Sequence, residues 1–191
     1  MTKWIIIGVL AVLVLAGFGS YNGLVTKEEA VGLAWGNVES DYQRRADLIP
    51  NLVNTVKGYA NFEKETLTQV IQARASATQV KIDANNLTPE NLAAFQQAQG
   101  GLSSALGRLL AVAENYPDLK ANQNFLDLQA QLEGTENRIN VSRQRFNDTV
   151  NEYNVSRRRF PAAIFASMFG FKEKGYFKAE AGSEKAPEVK F

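Results

Sequence analysis

Neither cysteine nor histidine occurs anywhere in the 191 residues. That absence excludes disulfides, thiol nucleophiles, imidazole bases and the usual zinc, iron or copper ligand sets. It leaves the redox compartment open, since a chain without thiols persists in reducing and oxidising surroundings alike. Net charge is lacking too: 21 basic side chains face 20 acidic ones, for a formal charge of +1. No global attraction to nucleic acid or to an acidic substrate follows from such a balance. Almost no stretch alternates polar and apolar residues with period two, which removes the case for a sheet. No nucleophile, hydrolase or transferase motif organises the remaining carboxylates, lysines and hydroxyls. The expectation is a non-enzyme with no catalytic, cofactor-binding or metal-ligating residues, built as one domain plus an accessory segment.

What the chain does have is a long apolar start. From Trp4 to Val25 it reads WIIIGVLAVLVLAGFGSYNGLV, with no charge before Lys27. About 20 residues at ~1.5 Å rise span a ~30 Å hydrocarbon core. Trp4, Ile5, Ile6, Ile7, Leu10, Leu13, Leu15 and Phe18 are the candidate anchor residues, and an uncleaved transmembrane helix is the preferred reading. The alternatives are a signal peptide, for which Gly17 and Gly19 make a poor cleavage site, and a buried core helix. Leu15-Ala16-Gly17 precedes Phe18 where a lipoprotein box needs cysteine, so lipidation is excluded. Lys3 and the terminal amine lie before the run while Lys27, Glu28 and Glu29 follow it. The positive-inside rule then puts the N-terminus in the cytoplasm and the domain outside.

Beyond Val25 the pattern predicts helices throughout. Val31, Trp35, Val38 and Tyr42 recur at steps of three and four and continue the first helix. A bend is expected near Pro50, followed by a second helical stretch to about Val80 with Leu52, Val56, Tyr59, Val70 and Val80 on one face. Thr88-Pro89-Glu90 supplies a cap oxygen, a first-turn proline and an acid at the positive helix end. This helix is expected to run to about Tyr116, where Pro117 ends it, with Gly100-Gly101 marking a kink or close backbone approach. Phe125, Leu128, Leu132, Thr135, Ile139, Ser142, Phe146, Thr149 and Tyr153 then form a 3.5-residue seam, the longest regular element. Pro161 closes it. The resulting partition is an anchor over 1–25, a helical bundle over 26–159, an apolar segment over 160–171 and an extended or disordered tail over 172–191.

Three groups of polar residues invite a functional reading. Arg44, Arg45 and Asp47 beside Pro50 form either a recognition site for carboxylate or phosphate or an intramolecular ion-pair network. Glu114, Asp118, Asp127, Glu133 and Glu136 match no metal loop and read as helix-end charges. Arg157, Arg158 and Arg159 directly precede the apolar FPAAIFASMFGF, and basic charge beside aromatic surface fits a membrane or assembly contact. Phe160, Phe165, Phe169 and Phe171 belong to that candidate surface, for which a neighbouring copy or the lipid surface is the favoured cover. The helix also carries Asn137, Asn140, Asn147, Asn151 and Asn154, which either find partners on adjacent elements or face solvent.

The blocks RRADLIPNLV, ENYPDLKAN, LEGTENRI and RFNDTVNEYN, together with FPAAIFASMFGF, resemble the LemA family of bacterial membrane proteins across nearly the whole chain. The resemblance implies a membrane-anchored antiparallel helical bundle in the bacterial inner membrane, single-pass, with no catalytic residues to transfer. It also implies an N-terminus outside the cell, opposite to the charge-based orientation. The combined expectation is an all-α, non-catalytic scaffolding component that binds membrane lipid and self-associates. An adaptor for another envelope protein is the alternative, and no nucleic-acid partner is expected.

Overall fold

A computed structural model of the chain describes residues 2–58 and 63–179, apart from the side chains of Val9, Val12 and Leu13. Tyr59, the anchor side chain of Leu13 and the tail from Glu180 onward therefore lie outside the described residues. All regular structure among the described residues is helical: α1 (Thr2–Lys57), α2 (Lys64–Gln79), a 3-10 turn (Ala84–Asn86), α3 (Pro89–Ala113), α4 (Pro117–Lys120), α5 (Gln123–Arg158) and α6 (Ala162–Met168).

No second helical stretch begins at Pro50, contrary to expectation; the proline lies inside the first helix, which continues through to Lys57. Proline has no N–H to offer the carbonyl one turn earlier, which is that of Ala46. Arg74 of α2 donates its Nε to that oxygen at 2.8 Å. The second half of the expected stretch is α2, which starts only at Lys64, after a turn at Gly58.

At Thr88 the cap forms as the sequence implies, with Oγ1 accepting from the Asn91 N–H at 3.2 Å and Pro89 in the first turn. This helix stops at Ala113, before Tyr116. Pro117 does not end it but opens the short α4, in a position where a missing N–H costs nothing. Nothing lies within 4 Å of a Cβ added at Gly100 or Gly101, so these glycines serve no close approach.

In α5, Phe125, Leu132, Thr135, Ile139, Ser142, Phe146 and Tyr153 are buried as their spacing requires. Late in the helix Val150 replaces Thr149 as the buried residue. A straight helix of 3.6 residues per turn drifts from a strict 3.5-residue seam, which moves the inward position by one.

The bundle is antiparallel. Lys27 of α1 faces Glu152 of α5 and Arg45 faces Glu136, while Arg108 of α3 reaches Gln69 of α2. Two apolar regions result. The distal one is aliphatic, with Ile49, Leu52, Val56, Val70, Leu102, Leu109 and Leu119 buried together. The proximal one is aromatic, with Trp35 5.2 Å from Phe95 and 5.8 Å from Phe146, and Tyr42 5.0 Å from Phe95, all edge-on. Such rings prefer edge-to-face packing because their quadrupoles then attract.

After α6, residues 172–179 run extended but are far from a loose tail. Lys174 is 3% and Phe177 5% exposed. The Phe177 ring closes the aromatic region, 5.4 Å from Phe146 and 6.2 Å from Trp35.

Among the described residues no helix is long and apolar enough to cross a membrane. The expected span is therefore not established by the fold. Trp4, Ile5, Ile6, Ile7, Leu10, Leu15 and Phe18 are each more than half exposed.

Candidate functional site

The three residues beside Pro50 part company. Arg44 and Asp47 are exposed, and Asp47 accepts from Gln43 at 2.7 Å. Arg45 is 1% exposed and points into the bundle. Its Nη1 donates to Glu136 at 2.6 Å and Ser103 at 2.7 Å, and its Nη2 donates to the Gln99 side chain at 2.7 Å. A guanidinium so engaged offers nothing to a partner, so Arg45 is corrected to a structural residue of the layer between the two apolar regions.

The acidic residues disperse. Glu114 pairs with Lys120, Asp127 accepts from Gln123, Glu133 from Gln129 and Glu136 from Arg45. Among the described residues no cluster could hold a metal ion.

Of the asparagines, Asn147 and Asn154 bind the extended strap, while Asn137, Asn140 and Asn151 are exposed. Asn154 donates its Nδ2 to the Lys174 carbonyl at 2.8 Å and accepts from the same residue's N–H at 3.1 Å. Asn147 does the same with Phe177, at 2.9 Å in both directions. Gln96 of α3 repeats the arrangement on Lys178, at 2.8 and 3.2 Å. Each amide stands in for a neighbouring strand, so an extended segment has its polar groups met without a sheet. Gly175 is required by space: a Cβ there would lie 2.8 Å from the Pro89 Cα. The sequence reading missed Gln96, Lys174, Gly175 and Phe177; the only forward signal was the placement of Asn147 and Asn154 two turns apart on one helix face.

Lys174 is held by Glu28 at 2.7 Å, by the Asn85 carbonyl at 3.4 Å and by the Tyr153 ring at 5.9 Å. Burial, with a smaller contribution from the Glu28 charge and an opposing one from Arg157, pushes the Tyr153 phenol up to about 12. Its hydroxyl donates to the Lys172 carbonyl at 2.9 Å. The strap is thus tied to both α1 and α5.

The surface with the character of an interaction site lies where α5 ends. Arg158 and Arg159 are exposed, and Arg157 pairs with Glu173 at 3.1 Å. The chain turns at a cis Phe160–Pro161 bond into α6, which packs along the early part of α1. The Phe165 ring approaches so closely that a Cβ at Gly17 would lie 3.0 Å from its Cε1. Tyr21 meets Phe169 at 5.1 Å and Phe171 at 5.7 Å, both edge-on. Tyr21, Phe165 and Phe169, with Leu10, Val14 and Phe18, line an apolar cleft of about 490 Å³. The apolar segment is therefore partly covered by its own chain: Ala166 is buried, and Phe165 and Phe171 half-buried. Phe160, at 83%, Ile164, Met168 and Phe169 stay exposed.

An all-α bundle closed by an extended strap, with an apolar helix pair projecting from one end, defines the class structurally. A family model described as the LemA family matches residues 34–191, and the chain belongs to that family. It is 29% identical over 178 residues to magnetosome protein MamQ of Magnetospirillum gryphiswaldense, a match covering 82% of this chain and 64% of that protein. Magnetosome protein MamQ 2 of Paramagnetospirillum magneticum is 27% identical over 185 residues, covering 86% and 66%. Protein LemA of Metamycoplasma hominis is 26% identical over 129 residues, covering 68% and 55%. The chain thus spans less than two thirds of the length of each of these relatives.

Proposed function

We propose that this chain is a non-catalytic structural protein of the bacterial inner membrane. The segment from Trp4 to Val25 spans the bilayer, the bundle stands on the outer side, and copies associate through the spanning helix. One observation carries the reading: the exposed apolar flank of early α1 is continuous with α6 and bounded by Arg158 and Arg159, the boundary a lipid headgroup layer favours. The uncharged run in the sequence is about as long as a hydrocarbon core is thick. Association is supported by Gly19 and Gly23, four apart on α1, exposed, with nothing within 4 Å of an added Cβ. In lipid such a pair lets two helix backbones approach closely. The relatives' names denote no reaction, in keeping with a structural role.

The test is particle size in detergent, for the full chain and for a Gly19→Ile/Gly23→Ile variant. An oligomer that the variant shrinks is the expected result; a monodisperse wild-type monomer overturns self-association. The adaptor reading draws on a polar hollow of about 610 Å³ beside the strap, lined in part by Ser103, Glu136, Gln144 and Asp148. Crosslinking from Gln144 that repeatedly recovers one different envelope protein would favour it.

A further inference from the structure

We infer that Phe160–Phe171 is a second membrane-embedded element, a re-entrant hairpin that dips into the leaflet beside the anchor and returns to the side it came from. Its exposed face is covered by acyl chains. This rests on the anchor reading above and extends it from a single span to a span with a half-depth companion.

The ion pair of Lys27 with Glu152 lies at the last charged level of α1 before the apolar run. Phe165 packs against Gly17, about ten positions nearer the N-terminus, and so ~15 Å farther along the helix axis at ~1.5 Å per residue. A hydrocarbon core is ~30 Å thick. Wherever Gly17 and Tyr21 are in lipid, α6 is carried into the same leaflet, because Phe165 and Phe169 rest on them.

No charge occurs from Phe160 to Phe171, while Arg157, Arg158 and Arg159 stand at the entry and Lys172 at the exit. Both ends of the hairpin therefore return to the headgroup level with cations, which anionic phosphates attract and whose long stems reach the interface. Phe160, Ile164 and Met168, at 83%, 58% and 65% exposure, face away from the protein. An apolar face of this kind in water is unfavourable, and the acyl chains beside the anchor are its nearest cover.

Lipid also forbids open peptide groups. Pro161 brings no N–H to satisfy. Ala163 donates to the Arg159 carbonyl at 2.8 Å and Ile164 to that of Pro161 at 3.2 Å. At the far end Gly170 takes φ +77°. Phe169 then donates to Phe165 at 2.8 Å, and Phe171 reaches back to Ala166 at 3.0 Å. That closure meets carbonyls a helix end otherwise leaves to water.

The natural absence of cysteine allows a direct test. Single variants Leu10→Cys, Ile164→Cys, Met168→Cys and, as an exposed bundle control, Thr68→Cys are made in the full chain and labelled with an environment-sensitive fluorophore. They are reconstituted in vesicles of phosphatidylcholine and phosphatidylglycerol. Quenching by nitroxide lipids labelled at shallow and deep acyl positions is compared with quenching by aqueous iodide. At positions 10, 164 and 168 the nitroxides are expected to quench several-fold more than at 68, with iodide shielded. Iodide access at 164 and 168 with position 10 still in lipid overturns the hairpin and leaves the anchor standing. Iodide access at position 10 as well overturns both. Shielding of 164 and 168 from both quenchers means a protein cover, such as a second copy, and overturns the lipid cover.

Discussion

Far from α6 the bundle closes with helices alone, and Leu52, Leu102, Leu109 and Leu119 are sealed by α1, α2, α3 and α5 packing on one another. Nearer α6 the same closure fails for want of helices. The second helix has ended at Gln79 and the third begins only at Pro89, while α1 and α5 run on. The gap is filled by large rings and by the strap, whose Phe177 enters between Trp35 and Phe146. Four helices can interdigitate small aliphatic side chains to crystal-like density, whereas α1 and α5 with only the first turns of α3, which contribute Phe95, leave a trough that needs another piece of chain. Between the regions Arg45 ties α1 to α3 and α5 through Gln99, Ser103 and Glu136.

The two regions differ most at Phe177. Phe177→Ala is expected to cost about 3–5 kcal/mol, the usual range for emptying an aromatic core site. Hydrogen exchange should show early loss of protection near Trp35 and Tyr153 while amides around Leu102 and Leu109 hold. Equal loss in both regions would mean that the bundle is a single cooperative unit and that the division into halves has no energetic meaning.

Removing the link between the halves comes next. Arg45→Ala leaves Gln99 and Glu136 without their donor, and ~2–4 kcal/mol is expected, discounted because the Glu136 side chain is 40% exposed. Arg45→Lys should recover little, since one ammonium cannot reproduce the planar fork. Denaturant midpoints of both variants decide this.

Smaller again is the loss of one clamp on the strap. Asn154→Ala strips the Lys174 backbone of both its contacts with that amide and is expected to cost ~1–3 kcal/mol. Proteolysis after Lys172 or Lys174 should accelerate before any change in helix content by circular dichroism.

The mildest effect is on alkaline stability. Tyr153 has its pKa raised from 10.0 to about 12 by burial beside Glu28, so the fold favours the neutral phenol. Its contribution is complete below about pH 10 and is lost as pH rises toward about 12. Tyr153→Phe should flatten that part of the stability profile, measured by denaturant titration across it, while giving up the bond to the Lys172 carbonyl.

Local signals carried the helical elements. The Thr88 cap, the first-turn proline after it and the seam of α5 depend on neighbours three or four residues away, and such short-range chemistry is written in the chain. A run without charge from Trp4 to Val25 is likewise a property of the sequence alone. What escaped was every feature whose partner lies far along the chain. Pro50 looked like a bend between two helical stretches because its missing hydrogen bond is local, but the freed Ala46 carbonyl is met by Arg74. Arg45 could be read as a recognition residue or as a member of an ion-pair network at the bend, and its actual partners were hidden because Gln99, Ser103 and Glu136 sit on two other helices. Residues 172–179 read as extended or disordered because they have no periodicity, and none is needed when Gln96, Asn147 and Asn154 supply the missing strand partners. The start of the helix capped at Thr88 and the inward face of α5 were legible in the chain, because capping and periodic burial act within a turn or two. Which polar groups are buried and which irregular segment is ordered came from long-range packing, because a polar group's free energy depends on whether a distant partner replaces water.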